Sequence, residues 1–400
     1  MSNPTVLISG ASIAGPAAAS WLAANGWDVT VVERSSRLRE DGQNVDVRGS
    51  GREVVRRMGL EEAVRAEHTT ETGMAFVDSR GATIAEFPAD RADDLSPTAD
   101  LEILRGRLAR LLHDHSASSA EYVFGDRITG LDDDGHGVDV RFARGPARRF
   151  DAVVVAEGAR SRTRRLVLPE ATLHELRLVW AYFTIPRTAD DDRRWRMHLG
   201  GRGRVVHLRP DAVGTTRAML SMSTDTLGFD RLDRAGATAL LRATFDDLSW
   251  ETPRILGALD DTTPYIDQVA QVRTPSFHRG RVALLGDAAW CAGPFGTGTT
   301  SALTGAYVLA GELGRTPDDV RGAFGRYERL LRPMTDRAQQ FVMFHPRTDR
   351  QRRLLQLGMR VLAGPLGGTL RRAGLVDDTL PVQHLALPDY PVRTLAPATG

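Results

Sequence analysis

The sequence contains no lysine, so all 52 of its Lys and Arg residues are arginine. This absence excludes the mechanisms that need a lysine side chain: a P-loop phosphate site, a pyridoxal phosphate Schiff base and a lysine nucleophile. Cysteine is almost absent as well, because Cys291 is the only one in 400 residues. An intramolecular disulfide and a cysteine-rich zinc site are therefore excluded. A single thiol, interpreted as a small packed residue, agrees with a reducing compartment, and we expect a cytoplasmic protein.

Net charge and long apolar runs are lacking too. The 52 basic residues are balanced by 51 acidic ones, which leaves a formal charge of +1 and no overall basic field for nucleic acid. No segment approaches 18 consecutive apolar residues, so we expect no membrane span. Residues 1–4 carry no basic group, which argues against a secretory signal. The 42% of hydrophobic residues can supply a core, and the length predicts two or three domains or one composite domain.

The first 33 residues have the pattern of a βαβ unit. Residues 5–8 form a short apolar run typical of a buried parallel strand, and residues 16–24 form an alanine-rich stretch that predicts a helix. Pro16 fits the first turn of this helix, and residues 28–32 predict a second strand.

The loop between the first strand and the helix resembles a dinucleotide fingerprint. Gly10 permits the tight turn, and Gly15 permits close packing of helix on strand, while Ser12 replaces the usual second glycine. The helix N-terminus offers free N–H groups to a pyrophosphate. Glu33 lies 18 residues beyond Gly15 (33 − 15), where an acid can bind a ribose hydroxyl. The alternative is a glycine-rich turn that binds no nucleotide. One fingerprint predicts one stably bound dinucleotide.

Two further strand-and-loop motifs follow. Residues 151–155 predict a buried strand that runs into Glu157 and Gly158. Residues 280–285 predict another, followed by Asp287, a glycine-rich loop and a helix over residues 301–313. A strand, a glycine-rich loop and a helix start together make an anion site.

These three motifs in this order resemble the FAD-dependent aromatic hydroxylases related to para-hydroxybenzoate hydroxylase, which include tetracycline-inactivating monooxygenases and many actinobacterial tailoring enzymes. The resemblance covers essentially the whole chain. It implies an α/β fold with a Rossmann-like FAD-binding domain, an inserted antiparallel-sheet substrate domain and C-terminal helices. It also implies bound FAD, NADPH or NADH as transient reductant, and O₂, with a flavin C4a-hydroperoxide that hydroxylates an electron-rich aromatic or polycyclic small molecule.

The resemblance assigns the cofactor residues by position. Glu33 is expected on the adenosine ribose, Arg105 on the helix against the flavin, and Asp287 near the ribityl chain and phosphate. Glu157 stands where the family usually has aspartate, and the loop after Pro294 looks one residue short. Arg105 could instead be a solvated helix residue, and Arg48 could simply anchor a loop. The full set expected to bind FAD is Gly10, Ser12, Ile13, Ala14, Gly15, Glu33, Arg34, Arg48, Arg105, Glu157, Gly158, Asp287, Gly298, Thr299 and Thr300.

The segments between the motifs have another character. Two runs around Gly81 predict a β-hairpin, and residues 176–273 contain strand-like stretches with one helix-like segment near residues 235–248. We therefore predict a discontinuous FAD-binding domain (1–70, 100–172 and 274–335), a substrate-binding domain (71–99 and 173–273) and a C-terminal helical segment (336–400).

The substrate pocket is expected on the inserted sheet. A phenol has a pKa near ~10, so a base or a positive field should help to deprotonate it. Three functions stay open: a monooxygenase, a flavin dehydrogenase or reductase without oxygen insertion, and a non-catalytic flavin-binding protein. The chain is expected to act as a monomer or homodimer, without a metal. Candidate pocket residues are Tyr182, Arg196, His198 and His207, with Trp180, Trp290 and Phe295 as aromatic walls.

Overall fold

The computed structural model describes residues 3–39, 42–88, 101–293, 297–340, 345–372 and 385–391. The strands in these residues are β1 (Thr5–Ser9), β2 (Asp28–Glu33), β3 (Asn44–Asp46), β4 (Gly73–Val77), β5 (Thr83–Pro88), β6 (Glu102–Leu104), β7 (Ala120–Phe124), β8 (Ile128–Asp133), β9 (Val138–Phe142), β10 (Arg148–Phe150), β11 (Ala152–Val155), β12 (Thr172–Pro186), β13 (Arg194–Gly201), β14 (Arg204–Pro210), β15 (Thr215–Ser223), β16 (Tyr265–Arg273), β17 (His278–Arg279) and β18 (Val282–Leu284).

The α-helices in the same residues are α1 (Ala14–Ala24), α2 (Gly49–Arg57), α3 (Glu61–Ala66), α4 (Arg105–Ser116), α5 (Thr163–Val167), α6 (Arg234–Phe245), α7 (Thr252–Gly257), α8 (Asp287–Trp290), α9 (Thr297–Arg315), α10 (Val320–Gln340), α11 (Asp349–Ala363) and α12 (Pro365–Arg372). Two short 3₁₀ turns occupy Phe229–Arg231 and Ala258–Asp260.

The first sheet has six strands in the order β17-β18-β11-β1-β2-β7. All neighbours from β18 to β7 run parallel, and only β17 is antiparallel. The central strands are continuous runs of buried Val, Leu and Ile, as expected where helices cover both faces of a parallel sheet. Helix α1 packs between this sheet and α9 within one large core. The predicted α/β class and the four buried strands are thus confirmed.

The second sheet has seven strands in the order β16-β12-β15-β14-β13-β4-β5. The hairpin β4–β5 and the strands between residues 172 and 273 therefore share one sheet. Its pairs are antiparallel except for β4 and β13, which run parallel. The predicted inserted sheet exists, although the domain boundaries themselves remain a prediction. The sequence alone could not predict the parallel pair, because β4 reaches this sheet from another part of the chain.

The two faces of the seven-stranded sheet differ because side chains alternate along a strand. On one face, which we call the back face, Val179, Ala181 and Phe183 of β12 pack against Phe245 and Ile255 of the covering helices. The other face carries the side chains that alternate with these, and we call it the front face. Its members include Trp180, Tyr182, Trp195, His207, Met219, Tyr265 and Asp267.

The front face is turned toward the parallel sheet. Immediately after α8 the chain runs along β16, where the Val272 N–H donates to the Cys291 carbonyl at 2.9 Å. A Cβ built on Gly293 would lie 3.8 Å from the Val269 side chain. The cleft between the two sheets is therefore bordered by the front face and by the segment that follows β18.

The C-terminal helices are partly as expected. Helix α11 begins after Thr348, whose side chain forms a capping box with Gln351, and it lies within the segment predicted to be helical. Helix α10 begins at Val320, and residues 341–344 lie outside the described part of the chain. Tyr390 packs against Gly311 of α9. Within the described ranges, no helix is long and apolar enough to cross a membrane.

Candidate active site

The three motifs meet at one edge of the parallel sheet. Strands β1, β11 and β18 are neighbours and run in the same direction, so their carboxyl ends lie side by side. Gly10, Glu157 and Asp287 each follow one of these ends within three residues. Ligands of open parallel sheets bind in the crevice outside such carboxyl ends.

The first loop can be built only with glycine at two positions. Gly10 has a φ of 112°, and a Cβ there would lie 2.4 Å from the Ala156 carbonyl oxygen. A Cβ on Gly15 would lie 1.9 Å from the Gly10 carbonyl oxygen. The loop therefore folds tightly onto the start of α1, which no side chain caps. An uncapped N-terminus with no acid in its first turn fits the pyrophosphate of FAD.

Glu33 lies beside this loop, as the fingerprint predicts. One carboxylate oxygen accepts from the Ala11 N–H at 3.0 Å, and the other accepts from the Ser35 N–H at 2.9 Å. Each oxygen has a second lone pair for a ribose hydroxyl. Ser12 is half-buried in the loop, and Arg34 is exposed beyond the acid. These positions fit an adenosine ribose, and the contacts themselves remain a prediction.

Glu157 connects the second motif to the first strand through hydrogen bonds. One oxygen accepts from the hydroxyls of Ser9 at 2.6 Å and Thr163 at 2.5 Å. The other accepts from the Ser161 hydroxyl at 2.7 Å and the Thr163 N–H at 3.2 Å. This carboxylate thus already accepts four hydrogen bonds from protein groups. Gly158 follows with a φ of 85°. The structure gives Glu157 a loop-fixing role, while its contact with a cofactor is still a prediction.

Asp287 and Arg105 are close enough for their charges to interact. The Asp287 side chain is accessible to solvent, although protein atoms crowd its carboxylate. Burial raises the pKa of Asp287, and the charge of Arg105 acts in the opposite direction. A Cβ on Gly286 would lie 3.2 Å from the Ala14 Cβ, so the third motif also packs against the first. A Cβ on Gly298 would lie 3.6 Å from an Asp287 oxygen.

Arg48 and Thr300 are joined directly, although 252 residues separate them along the chain. The Arg48 N–H donates to the Thr300 hydroxyl at 3.1 Å, and that hydroxyl donates to the Arg48 carbonyl at 3.3 Å. The Arg48 guanidinium pairs with Asp46 at 3.2 Å. Two segments with residues expected to bind FAD, the one at Arg48 and the N-terminal end of α9, are therefore held together in the structure, with Thr299 half-buried beside them.

The front face supplies an aromatic wall. Trp180 and Tyr182 stand two residues apart on β12, with ring centroids 5.8 Å apart, and Tyr265 lies 6.4 Å from Tyr182. Burial raises the pKa of Tyr182 well above its ordinary value. This tyrosine therefore keeps its proton near neutral pH and can donate a hydrogen bond.

His207 lies on the same face but deeper. The Trp195 indole N–H donates to His207 Nδ1 at 3.2 Å, and His207 Nε2 lies 3.3 Å from the Ser221 hydroxyl. An indole can only donate, so Nδ1 is the acceptor and Nε2 carries the proton. Burial lowers the pKa of His207 well below its ordinary value, and His345 and Arg209 add to this effect. His207 is a neutral imidazole.

Arg196 and His198 do not join the other pocket candidates. They alternate with Trp195 and Met197 on β13, so they belong to the back face. The Arg196 guanidinium pairs with Asp191 at 3.2 Å, and His198 Nδ1 lies 3.2 Å from the Val77 carbonyl. Both side chains therefore make their contacts on the back face of the sheet. The sequence could not assign them, because it shows the alternation but not which face meets the cofactor.

Trp290 is part of the core rather than of the pocket wall. Its ring is 3% exposed and packs against Phe277, with centroids 4.9 Å apart, and near Tyr327 at 6.0 Å. A Cβ on Gly305 would lie 2.9 Å from this ring. The backbone of Trp290 lies near the cofactor loops because it follows the Asp287 motif, but its side chain points away from these loops into the core. Phe295 lies outside the described residues.

A buried ionic cluster on the front face escaped sequence analysis. The Arg209 guanidinium donates to Glu71 at 2.9 Å and to Glu102 at 2.5 Å. The Asn44 amide and the Thr69 hydroxyl both donate to Glu102 at 2.6 Å. These residues come from separate stretches of chain, and the pair Arg209–Glu71 spans 138 positions. No local pattern could have predicted the cluster.

The comparisons with known proteins agree with this geometry. The sequence model of a family described as "FAD binding domain" matches residues 3–319. A flavin-dependent monooxygenase, eupH of Phoma sp, is 39% identical over 367 residues, which is 83% of this chain and 84% of the relative. The chain therefore belongs to this FAD-binding family, which includes flavin-dependent monooxygenases, and FAD is its cofactor.

Two solved structures show the same fold. Tetracycline destructase Tet(51) is 28% identical, covers 97% of this chain and 99% of its own, and superposes with a TM-score of 0.78. HpxO of Klebsiella pneumoniae, solved with FAD and uric acid, has a TM-score of 0.75 at 23% identity. That alignment covers 91% of this chain and 98% of HpxO, and it supports the fold alone.

Proposed function

We propose that this protein hydroxylates an aromatic or polycyclic small molecule, with NADPH or NADH as reductant and O₂ as the oxygen source. One observation supports this proposal above the others. Trp180, Tyr182 and Tyr265 form an aromatic group on the front face, and the charge of Arg105 acts on Tyr182 and Tyr265 as it acts on Asp287 of the cofactor site. Flat rings stack well on such a wall, and electron-rich rings are suited to oxygen insertion.

Bound FAD would accept two electrons from the nicotinamide and pass them to O₂. The protein has other tasks, which are to bind, to orient and to exclude water. The loop at Gly10 and the first turn of α9 at Gly298 would hold the pyrophosphate and ring, with the contact between Arg48 and Thr300 fixing the position of that turn. Tyr182, which keeps its proton, would donate to a substrate oxygen and so set the orientation of the substrate.

His207 is a buried histidine on the front face whose hydrogen bonds suit it to position its neighbours rather than to act as a base. It is neutral and buried, and its Nε2–H donates to the Ser221 hydroxyl. Its other nitrogen accepts from the Trp195 indole, so the ring orientation is fixed. Because one ring nitrogen carries a proton and the other already accepts from an indole, His207 has no lone pair for a substrate proton, and a substrate phenol would lose its proton to solvent.

The names of similar proteins support a small-molecule substrate. The HpxO structure contains uric acid, a small flat ring system, and the destructase title names tetracycline, a polycyclic compound. Both compounds belong to the class of molecule that we propose for this chain.

The decisive experiment uses FAD-loaded protein and a panel of phenols and polycyclic aromatics. We expect a substrate to stimulate NAD(P)H oxidation together with oxygen uptake, and ¹⁸O from labelled O₂ should appear in the product. NAD(P)H-linked turnover of a substrate without ¹⁸O in the product would indicate a dehydrogenase or reductase instead. Protein that binds FAD but shows neither activity with the panel would contradict the proposal.

A further inference from the structure

Helix α11 has two sides of different chemistry. Leu355, Met359 and Ala363 pack on the front face at one end of the seven-stranded sheet, against Phe76 of β4 and Met197 of β13. These three positions are spaced by four residues, so they lie on one side of the helix, which we call the inner side. This packing fixes which side of α11 is turned away from the sheet.

The opposite side of α11 exposes leucine together with arginine. Leu354 and Leu357 are 59% and 58% exposed, and they lie one turn apart, so they form one apolar surface. Arg350, Arg353 and Arg360 are exposed as well. At about 3.6 residues per turn, these five side chains lie on the side opposite to the inner side. We call these five residues the outer patch.

Neighbouring acids do not neutralise the outer patch. Helix α11 contains four arginines and one aspartate, a formal charge of +3, whereas the whole chain carries +1. That aspartate, Asp349, pairs with Arg352 at 3.0 Å, and Glu86 of the adjacent β5 pairs with Arg194 at 3.0 Å. The three arginines of the outer patch form no salt bridge within the described residues. An anionic partner would therefore be attracted to this side of the helix.

The combination of exposed leucine and unpaired arginine suits an anionic lipid surface. Phosphate headgroups balance guanidinium groups, and the acyl region beneath them accepts leucine side chains. A nucleic acid would satisfy the arginines but leave the leucines in water. Helix α11 has 15 residues, fewer than the roughly 20 that cross a bilayer, so it would lie in the plane of the interface.

We propose that the outer patch of α11 docks this protein on membranes that contain anionic lipid. One arginine near such a surface strengthens binding by about fivefold, so three arginines give a preference of about a hundredfold over neutral lipid. Because the inner side of α11 covers one end of the front face, docking would bring that end of the sheet close to the lipid. An apolar substrate would then reach the front face from the membrane, and this consequence alone rests on the proposed function.

The test measures sedimentation of the FAD-loaded protein with vesicles of phosphatidylcholine alone or of equal parts phosphatidylcholine and phosphatidylglycerol. We expect binding to the anionic vesicles to be about a hundredfold stronger. Combined replacement of Arg350, Arg353 and Arg360 by Gln should reduce this binding to the level seen with phosphatidylcholine. Leu354→Ser together with Leu357→Ser should weaken it by about tenfold or more, because two apolar side chains no longer enter the acyl region.

The matched control replaces Arg127, Arg141 and Arg144 by Gln. These arginines are exposed in and beside the three-stranded sheet β10-β9-β8, and they form no salt bridge in the part of the chain that the structure describes. The control therefore removes the same charge from another surface, and it should bind anionic vesicles like the wild type. The flavin absorbance spectrum of each variant checks that it is folded.

Three results would overturn the inference. The first is equal binding of the wild type to both kinds of vesicle, which depends on no variant. The second is a control that binds as weakly as the outer-patch variant, since overall charge would then be the cause. The third is unchanged binding of the leucine variant, because the patch would then attract anions without entering lipid, as expected for an acidic protein partner. No substrate is needed, so failure of the proposed function would leave these results unaffected.

Discussion

Replacement of Glu157 tests whether this acid serves the fold or the cofactor. Its two oxygens accept four hydrogen bonds, from the hydroxyls of Ser9, Ser161 and Thr163 and from the Thr163 N–H. Ser9 ends β1, whereas Ser161 and Thr163 lie beyond β11. The carboxylate therefore ties two loops of the cofactor site together without any group from outside the protein.

The magnitudes follow from the geometry. A hydrogen bond to a charged group contributes about 1.5–3 kcal/mol, and four bonds to one carboxylate do not add independently. In Glu157→Gln the amide group can donate to hydroxyls that turn round to accept, so we expect a loss of about 1–2 kcal/mol. Glu157→Ala leaves a backbone N–H and three hydroxyls without this acceptor, so we expect a loss of about 3–5 kcal/mol. Glu157→Asp cannot reach both loops at once and should fall between these values.

The assay is urea unfolding of the protein after FAD has been removed, because all four bonds join protein groups. Glu170→Gln is the control, since Glu170 is an exposed acid in the same segment that pairs with Arg279. It should change the free energy of unfolding by less than about 0.5 kcal/mol. If Glu157→Ala leaves the FAD-free protein as stable as the wild type but weakens FAD binding, the loop-fixing role would be refuted.

Three further predictions concern the loop, the C-terminal segment and the buried acids. Gly15→Ala should weaken FAD binding by about a hundredfold or more in a calorimetric titration, because its Cβ would collide with the Gly10 carbonyl. Tyr390→Ala should cost about 3–5 kcal/mol of unfolding free energy in urea, because a 4%-exposed ring that packs on Gly311 is removed. Burial raises the pKa of Glu71 well above 4.5, so the stability from its proton is complete below pH 4.5 and is lost as pH rises through the folded pKa. Relative to Glu71→Gln, the wild type should therefore lose up to about 1.4 kcal/mol per pH unit above pH 4.5 in urea titrations.

Each of these predictions has its own control. Gly257→Ala should bind FAD normally, since Gly257 has a helical φ of −59° and open space around its Cβ. Tyr390→Phe loses only the hydrogen bond to Glu312, so a loss as large as that of Tyr390→Ala would disprove the packing argument. A difference between wild type and Glu71→Gln that does not change with pH would show that Glu71 has an ordinary pKa.

The cofactor loops could be predicted from the sequence because their backbone conformation requires particular residue types. A turn at φ 112° and a helix that approaches within Cβ distance of a carbonyl both require glycine, so Gly10 and Gly15 carry their structural meaning in the residue type itself. Continuous apolar runs likewise predict buried parallel strands, and adjacent parallel strands bring their following loops to one edge. For this reason the loops that carry the three motifs meet at one edge of the parallel sheet, as their sequence patterns indicate.

The residues that line the proposed substrate pocket could not be predicted in the same way. Period-two alternation shows that Arg196 and His207 occupy strands, but only the strand register and the packing of α6 and α7 decide which face each one joins. The side chain of Trp290 turned into the core for a similar reason, because position in a motif fixes the backbone and leaves the side-chain direction open. The pairing of Arg209 with Glu71 across 138 positions, and of Asp267 with Trp180 across two strands, arose from tertiary contacts alone. The sequence thus determined where the cofactor belongs, because that site depends on local geometry, and the tertiary structure decided what the substrate meets, because that surface is assembled from distant segments.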